Sequence, residues 1–280
     1  MNKSNFKIGI VGLGYVGKAV EMVFKKKCDI FSYDINCKGN SNNLLDVATK
    51  SDYIFICLPT PMNDDGSCNT KIIDLVLEEL NDNCNKFVII KSTIPPGTSK
   101  KFSDRYKNIK IIYNPEFLTE SNYLEDFKTQ NRIILGGISK YVNNVKTLYL
   151  DFFPNAKIVF TTYEESEMIK YFTNTFLATK VSFANEIYSL CEKMNISYDV
   201  VVKNVLLDKR IGNSHFNVPG PDGKIGFGGS CLPKDLKAMI NLFKSQKINS
   251  EILESVWNKN LKVRKENDWE KLKGRAVNKD

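Results

Sequence analysis

Histidine is nearly missing from this chain: of 280 residues one is His215, in a Gly- and Pro-rich stretch with no serine or cysteine partner in sequence reach, so it reads as incidental. The cysteines (Cys28, Cys37, Cys57, Cys68, Cys84, Cys191 and Cys231) are odd in number, scattered, and include no C-x-x-C pair. That excludes a disulfide framework and a zinc site as first readings, predicts no bound metal, and favours a reducing compartment, the cytoplasm. No apolar run approaches the length that spans a bilayer, and Met1 to Phe6 is polar with no secretory h-region, so no membrane partner is expected. Internal repeats and low-complexity tracts are also absent. With 42% hydrophobic and 26% charged residues, disorder and fibrous arrays are excluded in turn. Forty Lys plus Arg against 32 Asp plus Glu leaves a formal charge of +8. That surplus is too diffuse to demand nucleic acid, and none is expected as a partner.

What is present is a pattern of alternation. Lys7–Val11, Ile30–Tyr33, Tyr53–Leu58, Phe87–Lys91, Lys110–Tyr113, Arg132–Leu135 and Lys157–Phe160 are short β-branched or aromatic runs separated by amphipathic stretches. Such alternation predicts an α/β fold: a Rossmann-like, doubly wound parallel sheet covered by helices. Between strands, Thr70–Leu80 places Ile72, Ile73, Leu75, Val76 and Leu80 on one side of a helical period. From Glu164 to Asn195 there is neither Gly nor Pro, and apolar residues recur at helical spacing. A helix of that length needs a second packing surface, so a helical domain and a partner subunit are both expected. Another helix is predicted over Asp199–Leu207, then a loop over Gly212–Gly229, a helix opened by Pro233, and a basic end that reads as a solvated face and a frayed tail. The expected domains are therefore residues 1–162, a helical central and dimerisation domain over 163–262, and a basic tail over 263–280.

Gly12-Leu13-Gly14-Tyr15-Val16-Gly17 follows the first strand and opens the first helix, as a dinucleotide fingerprint requires: a tight turn, a close backbone approach to pyrophosphate, and helix N–H groups facing the anion. Asp34 stands after the second strand, about 20 positions on, where its carboxylate would accept from a ribose hydroxyl and disfavour NADP. NAD is the expected cofactor. Ligands of open parallel sheets bind at the carboxyl ends of the strands. Those ends carry Pro59-Thr60-Pro61, Ser92-Thr93-Ile94-Pro95-Pro96-Gly97 and Asn114-Pro115-Glu116-Phe117-Leu118-Thr119-Glu120. Each alone could be a well-made turn; three on one edge read as a site.

Lys170 and Asn174 share a helix face and could hold an oxyanion or deliver a proton. Taken alone they read rather as a solvated lysine beside an incidental asparagine. Cys231, within Gly226-Phe227-Gly228-Gly229-Ser230-Cys231-Leu232-Pro233-Lys234-Asp235, follows glycines that remove bulk and precedes a helix start whose N–H groups, with Lys234, favour a thiolate. It is a candidate nucleophile. Cys57 and Cys191 read as buried and structural.

In order and spacing these motifs, with Lys170-Tyr171-Phe172-Thr173-Asn174-Thr175 and Arg210-Ile211-Gly212, resemble the UDP-glucose/GDP-mannose dehydrogenase family over almost the whole chain. The resemblance implies oxidation of a nucleotide sugar, UDP-glucose to UDP-glucuronate being the expected case, by two hydride transfers to NAD through a thiohemiacetal and a thioester on a cysteine. It assigns Cys231 as nucleophile, Lys170 and Asn174 to the oxyanion, Glu116 to thioester hydrolysis, and Thr93 and Asp235 to the water and proton network. Thr60, Thr93 and Glu120 would touch the cofactor beside Gly12, Gly14, Tyr15, Val16, Gly17 and Asp34. Substrate contacts would come from Glu116, Phe117, Leu118, Lys170, Asn174, Phe227, Gly228 and Arg210, the last from a neighbouring subunit. The long helix would be the family's dimer helix, so a homodimer is expected. The chain ends near where the family's second Rossmann-like domain would begin, and the Asn217–Gly223 loop is longer than usual, an expected cover for the substrate. Two other readings stay open: a single-step β-hydroxyacid-type dehydrogenase, which needs no cysteine, and a non-catalytic binding subunit.

Overall fold

The computed structural model describes residues 6–36 and 39–278; Cys37, Lys279 and the stretch before Phe6 lie outside the described residues. The chain divides into two compact units, residues 1–60 with 70–170 and residues 61–69 with 171–280. The two units change over between Lys170 and Tyr171, within the helix Tyr163–Lys193 that begins at the boundary expected after residue 162.

The first unit is a seven-stranded sheet, β1 Lys7–Val11, β2 Asp29–Tyr33, β3 Tyr53–Ile56, β4 Phe87–Ile90, β5 Lys110–Tyr113, β6 Arg132–Gly137 and β7 Lys157–Thr161, in the order β2-β1-β3-β4-β5-β6-β7. The strands stand where the apolar runs predict. Ile8, Ile10, Ile54, Phe55, Ile56 and Ile89 are fully buried, since helices cover both faces and leave no polar side. Helices α1 Tyr15–Phe24, α2 Leu44–Lys50, α3 Lys71–Asn83, α4 Thr98–Arg105, α5 Tyr123–Lys128 and α6 Ser139–Phe152 make the connections.

Two details depart from expectation. β5 and β6 pair antiparallel, through Ile112 with Gly137 and Tyr113 with Gly136, whereas an all-parallel sheet was expected. Helix α5, at six residues, rises only about 9 Å and packs against α1, so it does not carry the chain back across the sheet. In α3 the buried stripe is Ile73, Leu77 and Leu80, while Ile72 and Leu75 are exposed. A spacing of four then three residues follows the helical period, and positions 72 and 75 fall off that stripe.

The long helix α7, Tyr163–Lys193, starts in the first unit and continues into the second, where α8 Tyr198–Val205, α9 Leu232–Ser245 and α10 Glu251–Val263 follow. The second unit's apolar centres join Ala178, Phe227, Leu236 and Val256, then Ala184, Cys191, Tyr198 and Val218. Its described stretch from Arg264 to Ala276 is packed where a frayed tail was expected. Arg264, Trp269 and Ala276 are buried, and the N–H of Met62 donates to the Ala276 carbonyl at 2.8 Å. Lys262, Lys265, Lys271 and Lys273 are exposed as predicted; what a charge count hides is the apolar Trp269 and the acids that pair Arg264. No helix of the described residues is long and apolar enough to cross a membrane.

Candidate active site

In the first unit the fingerprint loop is drawn tight by its glycines. Gly12 has φ +92°, and its N–H donates to the Tyr33 carbonyl at 2.8 Å. A Cβ on Gly17 would lie 1.9 Å from the Gly12 carbonyl oxygen, so only glycine lets α1 start this close to β1. Gly14, the N-cap of α1, faces open space instead. That opening at a helix N-terminus is the cradle a pyrophosphate would fill, and the residues fit a dinucleotide. Asp34 accepts from the N–H of Leu13 at 2.8 Å and from Asn36, which fixes the carboxylate beside the loop. Tyr15 lies edge-on to Tyr123, ring centres 5.2 Å apart.

At the carboxyl ends of β3 to β5 the loops knit together. The Thr60 hydroxyl donates to the Thr93 carbonyl at 2.8 Å, and both residues are buried. Glu116 Oε1 accepts from Lys170 Nζ at 2.9 Å and Oε2 from the Leu118 N–H at 2.7 Å. Burial works against the charged carboxyl, but Lys170, the Leu118 N–H and Lys91 outweigh it and hold the acid below the usual carboxylate range. Lys170 also lies over Phe117, whose ring meets Arg132 at 4.5 Å. One turn earlier on α7, Glu167 is fully buried and accepts from the N–H groups of Gly97 (2.6 Å) and Ser99 (2.7 Å), capping α4 from 70 positions away. Burial pushes its carboxyl up to about 7 against those hydrogen bonds.

In the second unit Cys231 is exposed at the N-cap of α9, with Pro233 in the first turn. Its sulfur lies 3.7 Å from the Ser230 hydroxyl. One turn on, Asp235 is buried and accepts from Asn174 Nδ2 at 2.6 Å and from Lys234 Nζ. Burial alone would lower the Lys234 amine; Asp235, Cys68 and Cys231 raise it, so a fixed cation stands within electrostatic reach of the Cys231 sulfur.

The sequence placed Lys170 and Asn174 on one helix face. Each is buried and has its own carboxylate, Glu116 for Lys170 and Asp235 for Asn174, so the solvated-lysine reading fails. Arg210 is exposed, its guanidinium forked onto Asp208. Glu120 is exposed. The Asn217–Gly223 loop is less free than a cover would be: Val218 is buried and Asp222 accepts from Arg264 at 2.6 Å.

The family's sequence models match the chain in two blocks. Residues 38–153 match the NAD binding domain, and residues 164–262 the central domain, of the UDP-glucose/GDP-mannose dehydrogenase family. The chain belongs to this family. A UDP-glucose 6-dehydrogenase of Rickettsia bellii is 36% identical over 211 residues, 72% of this chain and 48% of the relative. The chain thus spans about half the length of the curated relatives it matches. A UDP-glucose dehydrogenase structure from Pyrobaculum islandicum superimposes with a TM-score of 0.82 at 27% identity, over 92% of this chain and 68% of that one. A 3-hydroxyisobutyrate dehydrogenase of Mycobacterium tuberculosis shares the fold, with a TM-score of 0.72 at 15% identity over 91% and 92% of the two chains.

Within the family's motifs the sequence missed the residues that hold the glycine loop. Asn260 exchanges two hydrogen bonds with the Phe227 backbone, 2.8 and 2.9 Å, and Asp268 accepts from the Gly229 N–H. A Cβ on Gly228 would lie 2.3 Å from the Arg264 guanidinium. Nothing in a run of Lys, Asn and Asp near the chain's end marks those partners. Lys91 was missed too. It stood inside a strand and is 2% exposed, bonded at 2.8 Å to Asn114 Oδ1.

Proposed function

We propose that this chain oxidises a nucleotide sugar with NAD, UDP-glucose to UDP-glucuronate, holding the intermediate on Cys231. One observation carries the reading: Cys231 is exposed at the start of α9 while Asp235, a turn on, is buried and bonded to both Asn174 and Lys234. A relative that performs one oxidation has no use for a nucleophile so prepared. The names borne by the relatives point to the same substrate.

Gly12, Gly14, Tyr15, Val16, Gly17 and Asp34 would hold NAD, with Thr60, Thr93 and Glu120 toward its reactive end; when bound, NAD supplies the acceptor for each of the two hydrides. The alcohol proton is lost to the water and proton network ordered by Thr93 and Asp235. The Cys231 thiolate, favoured by Lys234 and the α9 N-terminus, adds to the aldehyde carbon, and Lys170 and Asn174 stabilise the alkoxide of the thiohemiacetal. The second oxidation leaves a thioester, which water attacks with Glu116 as its base, releasing carboxylate and free thiol. Phe117, Leu118, Phe227 and Gly228 would line the sugar, and Arg210 would reach a phosphate from a neighbouring copy. Phe172, Phe176, Phe183 and Leu190 leave an apolar stripe exposed on α7, which supports a homodimer built on that helix. A thiol kept reduced suits the cytoplasm.

Intact-mass analysis of a Glu116→Gln variant incubated with NAD and UDP-glucose tests the reading. A sugar-nucleotide adduct that maps to Cys231 is expected. Turnover without any adduct, unaffected by Cys231→Ser, would move the chain to the single-oxidation relatives whose fold it shares.

A further inference from the structure

We infer that Lys91 is a positioning residue for Glu116: from the end of β4 it anchors the root of the Glu116 loop and sets a second cation, with Lys170, around that carboxylate. The inference rests on the role given above to Glu116 and extends it to a residue outside the reacting groups.

The register of the sheet makes the arrangement. Ile90 of β4 pairs with Tyr113 of β5, so Lys91 and Asn114 leave the sheet as neighbours, and the Asn114 N–H donates to the Ile90 carbonyl at 2.9 Å. Lys91 Nζ donates to Asn114 Oδ1 at 2.8 Å, the Tyr149 hydroxyl donates to the same oxygen, and Asn114 Nδ2 donates to the Ile134 carbonyl at 2.8 Å. Three partners on one amide fix both its orientation and the direction in which the chain enters Pro115 and Glu116. Glu116 then closes its own turn on the Leu118 N–H.

A buried ammonium needs compensation. The contacts of Lys91 are neutral, the Asn114 side chain and, at 5.5 Å, the face of Phe127. Burial lowers its amine to about 8; Cys57 and Glu116 act the other way, and Lys170 adds to the lowering. Cys57 holds no charge to offer, since burial pushes its thiol up to about 12, and burial likewise raises the Tyr149 hydroxyl. The anion that answers Lys91 is therefore Glu116, already paired to Lys170. Two cations within electrostatic reach of one carboxylate, Lys170 bonded to it and Lys91 at the root of its loop, keep that acid ionised as a base and leave positive potential for an oxygen that gains charge.

The deciding experiment is a titration of the Lys91 Nζ by ¹⁵N NMR, its signal assigned by loss in Lys91→Met, in the natural protein and in Glu116→Gln. If the two groups are coupled, removing the carboxylate moves the Lys91 midpoint down by about half a unit or more. An unmoved midpoint overturns the inference. In turnover with NAD and UDP-glucose, Lys91→Met should shift the acidic limb of the kcat profile up by a similar amount while KM stays within about twofold; a uniform loss at every pH would mark a merely structural lysine. The NMR titration needs no turnover. A protein inactive on every nucleotide sugar would sink the proposed function and leave the Lys91 to Glu116 coupling to be judged by that titration alone.

Discussion

Lys170 on α7 donates to Glu116, 54 positions earlier in the loop after β5, across 2.9 Å with both side chains largely buried. Two motifs that the sequence presents separately are one ion pair in the folded first unit. Breaking it from one side takes from the buried Glu116 its directly bonded cation, so Lys170→Met should destabilise the protein by about 3–5 kcal/mol. Lys170→Met combined with Glu116→Gln should recover much of that loss, read as denaturant midpoints. The pH sense follows from the lowered Glu116 acid. Its contribution to stability is present above the ordinary carboxylate range and is lost as pH falls through the folded value, a loss that Glu116→Gln should remove.

Glu167 titrates the other way. Its folded carboxyl is raised from 4.5 to about 7, so the folded state holds a proton that the unfolded state has released. Its contribution to stability is full below the unfolded value and is lost as pH rises toward 7. Glu167→Gln should flatten the melting temperature across that window. The variant should also loosen α4, because a carboxamide offers one acceptor oxygen to two N–H donors, and hydrogen exchange at Gly97 and Ser99 would report it.

Gly228→Ala tests the support of the cysteine loop. The added methyl would meet the Arg264 guanidinium and the Asp268 carboxylate, both at 2.3 Å, so either that ion pair or the loop must move. A destabilisation of about 1–3 kcal/mol is expected. Reactivity of Cys231 toward a thiol reagent should change with it. Gly14→Ala, which meets no protein atom, should spare stability and weaken NAD binding.

Asn174→Ala removes a donor from buried Asp235 and, on the proposed mechanism, a donor to the oxyanion. A fall in kcat of about 100- to 1,000-fold is expected. A fall confined to KM would assign Asn174 to uniform substrate binding instead.

The apolar stripe on α7 predicts its own cost. Phe176→Glu with Phe183→Glu should shift the sedimentation of the protein to that of a single chain, since both residues are more than half exposed and both lie on the stripe. A concentration-independent dimer in that variant would place the interface elsewhere.

The strands and the dinucleotide loop were legible because period and spacing are local properties: Gly12, Gly14 and Gly17 act within a few residues of their neighbours. The antiparallel β6 was not, because the direction of a strand depends on how far α5 carries the chain, and six helical residues look the same either way. The helix start at Cys231 and the glycines before it could be read locally. Its scaffold could not, since Asn260, Arg264 and Asp268 earn their roles only when α10 and the segment after it lie against the loop. Lys91 was hidden for a related reason: at the end of an apolar run a lysine looks like a strand boundary, and only the β4–β5 register brings it to Asn114.

Covalent, two-step oxidation at Cys231 fixes a stoichiometry. Counting NADH released per UDP-glucose consumed, by the natural chain and by Cys231→Ser, tests it most directly. Two NADH per sugar are expected from the natural chain, with the variant unable to carry the second oxidation. One NADH per sugar in both proteins would contradict it.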